Sequence, residues 1–341
     1  MISALIAASR SPLTRRRMAL TLGALALLLL LAALLALGSG SVTISPAEIL
    51  ASLTRPAPEN ETARTILLMI RLPRVLMAIV VGAALAVAGV VFQALLRNPL
   101  AEPYILGISS GGTVGAIIAI TLSLGALGVP ALSFAGSAAV MGIVYMLAQR
   151  RGQLDAYTLL LAGVMIGAFF NAAILLIIAV FHQELRTAFL WLMGNLSGAG
   201  LTSLGVVTPP VAMIIGVLWW RARAFNLIAT GDETALQLGV EVRIAKRAAY
   251  LLASLLTGAA VSVSGVVGFV GLIIPHICRI LFGPDHRLLI PASALLGGSF
   301  LLATDTLART LIAPSEIPVG AVTAAIGAPL FVYLLRRSSA A

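Results

Sequence analysis

Ten stretches of the chain are apolar over roughly the 20 residues that a bilayer core requires. They run at about 18–38, 75–96, 105–124, 130–148, 157–181, 204–220, 249–267, 268–283, 288–304 and 319–335. All are too long for strands, and none alternates with a period of two, so the pattern predicts helices. Spans 7 and 8 nearly touch, and the turn between them is expected around Gly265 and Gly268. The first stretch has a basic lead (Arg15, Arg16, Arg17) and ends in small residues (Gly38, Ser39, Gly40), as a signal peptide would. Its apolar core exceeds the 7–15 residues typical of such a peptide, which reads as a retained span.

Composition narrows the choice. Of 341 residues, 60% are apolar and only 10% are charged, and the mean hydropathy is +1.09. A soluble chain of this length could not cover its own surface with so few polar groups. A soluble enzyme, a disordered chain and a nucleic-acid-binding domain are excluded together. The net charge of +10 therefore reads as membrane orientation, through an excess of basic residues on the cytoplasmic side. With ten spans and the N-terminus inside, sixteen basic residues face inward and six (Arg55, Arg64, Arg71, Arg74, Arg186 and Arg309) face outward. Both termini are then cytoplasmic, and the outward arginines need a reason of their own. A single cysteine allows no internal disulfide.

Gly82-Ala-Ala-Leu-Ala-Val-Ala-Gly-Val-Val91 and Gly258-Ala-Ala-Val-Ser-Val-Ser-Gly-Val-Val267 agree at seven of ten positions, 176 residues apart. They fall in spans 2 and 7, so the copies must point in opposite directions, as in the inverted repeats of many transporters. Close packing of two unrelated small-residue helices is the plainer alternative. No segment fits a phosphate-cradling G-x-x-x-x-G-K-[ST] loop, because the only lysine, Lys246, follows an alanine. His182, His276 and His286 make no metal-ligand spacing. No nucleophile or zinc motif supports a membrane enzyme. Among ionisable residues in the spans, Asp305 and Arg309 stand four apart and can pair along one face. Between spans 6 and 7, Thr230-Gly-Asp232-Glu233 fits a capping box for a short helix carrying Ala235, Leu236 and Leu238, with Gly239 as its stop.

Several segments, in order, resemble the FecCD-type permeases of ABC importers, which carry iron-siderophores, haem or cobalamin. They are Arg71-Leu-Pro-Arg74, Gln93-Ala-Leu-Leu-Arg-Asn98-Pro99-Leu-Ala-Glu102-Pro103, Leu106-Gly-Ile-Ser-Ser110, Trp191-Leu-Met-Gly194 and Gly231-Asp-Glu-Thr-Ala-Leu-Gln-Leu-Gly239. Gly268-Phe-Val-Gly-Leu-Ile-Ile-Pro275-His276, Gly283-Pro-Asp-His-Arg287 and Glu316-Ile-Pro-Val-Gly320 complete the set.

The resemblance implies an all-α integral membrane protein of ten transmembrane helices. Spans 2–5 and 7–10 would be inverted halves of one permease domain over 1–341, with 1–17 as a cytoplasmic N-terminal segment. It implies a homodimer with the pathway on its axis, in the bacterial cytoplasmic (inner) membrane. Its partners would be two ABC ATPase subunits, an extracytoplasmic substrate-binding protein, a metal-chelate substrate and membrane lipid, with no nucleic acid. The chain itself would bind no cofactor or metal and do no covalent chemistry; ATP and magnesium belong to the partner subunits. Iron-siderophore is the first cargo expected, then haem or cobalamin.

In residue terms, the resemblance makes 228–240 the region of the coupling helix that seats in the ATPase, through Asp232, Glu233, Ala235, Leu236, Leu238 and Gly239. Arg71, Arg74 and Arg309 become docking contacts for the binding protein. Asp155, Ala156 and Tyr157 become the inner gate, with Phe169, Phe170 and Asn171 along the path. Asn98, Pro99 and Glu102 read as a structural inner turn that could also touch the ATPase. A stand-alone secondary carrier shares the repeat but needs midplane carboxylates, for which Asp305 is the one weak candidate.

Overall fold

Helices account for nearly every described residue, as continuous apolar sequence in a membrane requires, because only internal hydrogen bonds can satisfy the backbone there. The computed structural model describes residues 13–40, 44–45, 48–49, 61–150, 152–180 and 185–338. The N-terminal helix α1 spans Arg15–Gly38, capped by Thr14, whose Oγ1 accepts from the Arg17 amide. Helix α2 runs through Glu61–Leu95, with a π-helical segment at Ile66–Arg71 just before Pro73. Pro73 has no N–H to give to the preceding turn, and the wider π turn accommodates that loss.

A 3-10 turn at Pro103–Leu106 leads into α3 (Ile108–Thr121), followed by α4 (Gly125–Ala148). A two-residue hairpin pairs β1 (Gln149–Arg150) with β2 (Gln153–Leu154), antiparallel, Gln149 opposite Leu154. Then come α5 (Ala156–Val180), a short α6 (Leu185–Leu192), α7 (Leu201–Trp220), α8 (Ala222–Thr230) and α9 (Asp232–Gln237). The C-terminal part holds α10 (Val242–Ser264), α11 (Val270–Phe282), α12 (His286–Thr310) and α13 (Val319–Ser338).

Each of the ten apolar stretches contains a helix. Seven helices among the described residues are long and apolar enough to cross a membrane; Ile108–Thr121, Val270–Phe282 and Val319–Tyr333 are shorter apolar helices. The expected turn between spans 7 and 8 is present: Gly265 ends α10 at φ +66°, and α11 starts at Val270. Helix α2 begins well before the expected residue 75. The helix continues through Arg71 and Arg74, both of which are buried, Arg74 against the carboxylates of Asp305 and Glu316.

The repeat is visible in the helices. The succession long, short, long occurs as α2–α4 (with α2's α-helical core at Leu72–Leu95) and again as α10–α12. Each short helix starts from a left-handed residue, Gly107 (φ +73°) before α3 and Phe269 (φ +70°) before α11. The copies are inverted: Arg97, just past the C-terminus of α2, and Lys246, near the N-terminus of α10, both bond Asp232. Lipid offers no hydrophobic force to pull helices together, so close van der Waals contact must do it. Here Gly82 lies against the Gly297 backbone of α12, and a Cβ on Gly89 would sit 1.9 Å from the Gly271 carbonyl of α11. Helices α2, α10 and α12 form the packed centre, whereas α1, α5 and α7 are mostly exposed.

Candidate functional site

Two ends of the bundle and one connection between the two halves carry the charged and polar chemistry. At the first end, α8 is amphipathic: Ala222, Phe225 and Ile228 are buried, and the rest of the helix is half-buried or exposed. Helix α9 follows without the expected capping box. Thr230 Oγ1 accepts no helix N–H and instead donates to the Leu227 carbonyl, which closes α8, and Gly231 (φ +136°) is the N-cap of α9. The expected stop is present: Gly239 is left-handed (φ +84°), and Val240 N–H reaches back to the Ala235 carbonyl.

Helix α9 is fastened by one carboxylate. Asp232 pairs with Arg97 Nη2 and, at 2.5 Å, with Lys246 Nζ, and Arg97 also donates to the Ile228 carbonyl. Ala235 is buried beneath it, while Glu233, Leu236 and Leu238 project outward, the two leucines more than 60% exposed. Of the six residues expected to act together, Asp232 and Ala235 thus anchor the helix, Gly239 ends it, and the other three form its exposed tip.

The hairpin and the start of α5 lie beside this anchor. Asp155 caps α5, its Oδ1 accepting from the Thr158 amide at 2.8 Å and the Thr158 hydroxyl at 2.5 Å. Those two bonds, with help from Arg150 and Lys246, hold the Asp155 carboxyl below the usual range. A cavity of about 380 Å³ joins the two sites, lined by Arg97, Arg150, Asp155, Ala156, Asp232 and Lys246. The structure therefore brings the expected gate and the expected coupling helix to opposite walls of one polar cavity. Tyr157 stands 74% exposed at its edge. Further along α5, Phe169 is exposed and meets the half-buried Phe170 edge-on at 5.5 Å. Asn171 accepts from Ser110 Oγ at 3.0 Å.

At the other end the expectation for the three arginines is corrected. Arg71, Arg74 and Arg309 are all buried rather than presented outward. Arg74 Nε and Nη2 bind the fully buried Asp305, with the shortest contact 2.9 Å, and its Nη1 binds Glu316 at 2.9 Å. Arg309 Nε lies 3.2 Å from Asp305 Oδ2, and its Nη2 donates to the Ala36 carbonyl at 3.2 Å. Arg71 Nη1 donates to the Leu37 carbonyl at 2.6 Å. These carbonyls are the negative end of α1, which attracts cations. The physical reason is desolvation: arginines drawn into a helix crossing need carboxylates and carbonyls around them, and Asp305 and Glu316 supply the carboxylates. The side chain of Arg186 and the whole of Arg55 lie outside the described residues.

Glu102, expected in a structural inner turn, does hold structure together, and across the two halves: its Oε1 accepts from the Phe269 amide at 2.6 Å. Two residues on, the Tyr104 hydroxyl accepts from Val267 N–H at 3.0 Å. The loop after α2 thereby caps α11, and Pro103 packs against Gly271. The pairing of one half's loop with the other half's short helix could have been sought once the repeat was seen. Among the described residues no group of His, Cys, Asp and Glu could hold a metal ion.

Comparison with known proteins agrees with this architecture. The Hemin transport system permease protein HmuU of Yersinia pestis is 45% identical over 327 residues, covering 92% of this chain and 95% of that protein. The Cobalamin import system permease protein BtuC of Halobacterium salinarum is 46% identical over 277 residues, 81% of this chain and 74% of that protein. A solved metal-chelate type ABC transporter in an inward-facing conformation superposes with a TM-score of 0.83 at 31% identity, over 93% of this chain and 98% of its own. The fold alone is shared with PsaBC of Streptococcus pneumoniae, at a TM-score of 0.55 and 18% identity. With residues 28–337 matched to it, this multi-pass membrane chain belongs to the FecCD transport family.

Proposed function

We propose that the chain is the permease of an ATP-driven importer that moves a metal chelate across the bacterial cytoplasmic membrane. Two copies enclose the path, partner subunits hydrolyse ATP, and a binding protein delivers the cargo. The observation that carries this reading is α9: a six-residue helix, pinned through Asp232 to the ends of α2 and α10, that offers Leu236 and Leu238 outward. Exposed leucines on a rigidly anchored tip are suited to a pocket on a motor subunit. The cavity shared with Asp155 gives a push on α9 a short route to the start of α5. The excess of arginine at this end supports a cytoplasmic position for it and for both termini.

The cargo order expected from sequence changes. Relatives named for haemin and for cobalamin make these two macrocyclic chelates the first to test, ahead of iron-siderophore. The opposite end, floored by the Arg74–Asp305–Glu316 cluster, is where the binding protein docks, with the half-exposed Glu316 as the accessible member. A secondary carrier finds no support in Asp305, which is fully occupied by Arg74 and Arg309.

The test is reconstitution with the ATPase that co-purifies from native membranes. Leu236→Ser with Leu238→Ser should leave the chain folded and abolish co-purification. Uptake of labelled cobalamin or haemin should require ATP. Uptake that persists without the ATPase and follows a proton gradient would overturn the proposal.

A further inference from the structure

Two chambers at the α9 end of the molecule meet at Leu13 and Arg287 and form one groove. The outer chamber, about 680 Å³, lies between α1, the end of α7, the start of α8 and the start of α12. The inner chamber, about 1020 Å³, continues between α2, α8 and α11 as far as Arg279, which donates to Gln93 at 3.0 Å. The groove is strongly basic. Arg15, Arg223 and Arg287 line the outer chamber, and Arg17, Arg97 and Arg279 the inner one. Asp285 is the one carboxylate lining it among the described residues, and Arg287 holds it at 2.5 Å. Arg97 is engaged by Asp232.

Its outer walls are α1 and α7, two of the least buried helices. At the bottom of α7 stand Trp219 and Trp220, 46% and 79% exposed. Trp219 Nε1 donates to the Arg287 carbonyl at 2.8 Å, which fixes its ring at the rim. Tryptophans at helix ends mark the headgroup level of a bilayer. A basic recess between transmembrane helices at that level matches the charge of a lipid phosphate.

We propose that this groove is a binding site for the phosphate headgroup of an anionic phospholipid from the leaflet on the α9 side, with Arg15 and Arg223 as its outer contacts. The acyl chains lie along the exposed faces of α1 and α7. The bound lipid cements α1, α7 and α12 beside the helix pair that carries α9. This site is separate from the α9 tip, whose leucines point elsewhere.

The experiment uses the purified full-length chain in nanodiscs of phosphatidylcholine, with and without phosphatidylglycerol, read by native mass spectrometry and thermal melting. Wild type should retain phosphatidylglycerol through purification and melt higher in its presence, and raised salt should weaken both effects. Arg15→Gln with Arg223→Gln removes two exposed cations and should cut retention on the order of tenfold. The melting temperature of this variant in phosphatidylcholine alone should match wild type, which shows the fold intact. Trp220→Ala, at an exposed site, should lower retention without altering its salt dependence. Equal retention by wild type and the double variant would overturn the proposal. So would equal stabilisation by inorganic phosphate or ATP in neutral detergent, which would mark a site for free anions. Loss of the ATPase from the double variant with lipid retention unchanged would make the groove a protein contact instead.

Discussion

Arg74 shows how the desolvation cost of a charge inside a membrane protein is offset by its partners. Its guanidinium divides between a fully buried carboxylate, Asp305, and a half-exposed one, Glu316. The two partners should therefore differ in consequence. Arg74→Ala leaves Asp305 with Arg309 alone and should destabilise the chain by about 3 kcal/mol or more. Glu316→Gln should cost under about 1 kcal/mol, because water screens that pair; thermal melting in detergent distinguishes the two. At the other end, burial raises the Asp285 carboxyl, but bonds from Arg287 and Asn226 outweigh this and hold it down to about 2. The folded value lies below the ordinary 3.8, so the carboxylate stabilises the fold above about pH 4. That contribution fades as pH falls toward 2. Asp285→Asn should lower the melting temperature at pH 7, and the gap to wild type should narrow progressively below pH 4.

Among the elements, those whose cause lies in local sequence were legible and those whose cause lies in tertiary contact were not. Every apolar stretch carries a helix, and Gly239 stops α9 where its backbone freedom is needed. The N-terminal extension of α2 was hidden because Arg74 reads as solvent-facing until Asp305, more than 200 residues away, is placed beside it. The capping box failed because Thr230 completes the preceding helix α8, an amphipathic turn too short to stand out. Glu102 looked like a turn residue because nothing local reveals that Phe269 lies opposite. The short helix α9 lies where the sequence placed it, but Asp232 and Asp155 prove to be fasteners, one of a helix and one of a cap. Substituting the fastener and the tip should give different phenotypes. Asp232→Ala should lower the melting temperature, whereas Leu238→Ser, at the exposed C-cap of α9, should leave it unchanged.

For the whole molecule, burial divides the helices into a packed centre (α2, α10, α12) and an exposed set that includes α5. If α5 lines a water-filled path between two copies, its exposed face should be wet while that of α1 meets lipid. The single cysteine, Cys278, is buried, which makes the test clean. Phe169→Cys in intact membranes should react with a membrane-impermeant maleimide, and Leu27→Cys on α1 should not. Equal protection of both would place α5 against lipid. The packed centre answers to a different probe. Gly89→Ala forces a Cβ into the Gly271 backbone and should destabilise by about 1–3 kcal/mol or more. Gly142→Ala, with nothing within 4 Å, should be neutral or slightly stabilising.

That backbone-on-backbone crossing also sets where this architecture can diversify. Helices α2, α11 and α12, locked at glycine contacts, leave no room there for larger side chains. If α5 lines the path, the width for a bulkier passenger must come from it and its neighbours, which are sparsely packed. Substrate range is thereby separated from mechanical integrity within one chain: one set of helices can drift with the cargo while the other keeps the frame.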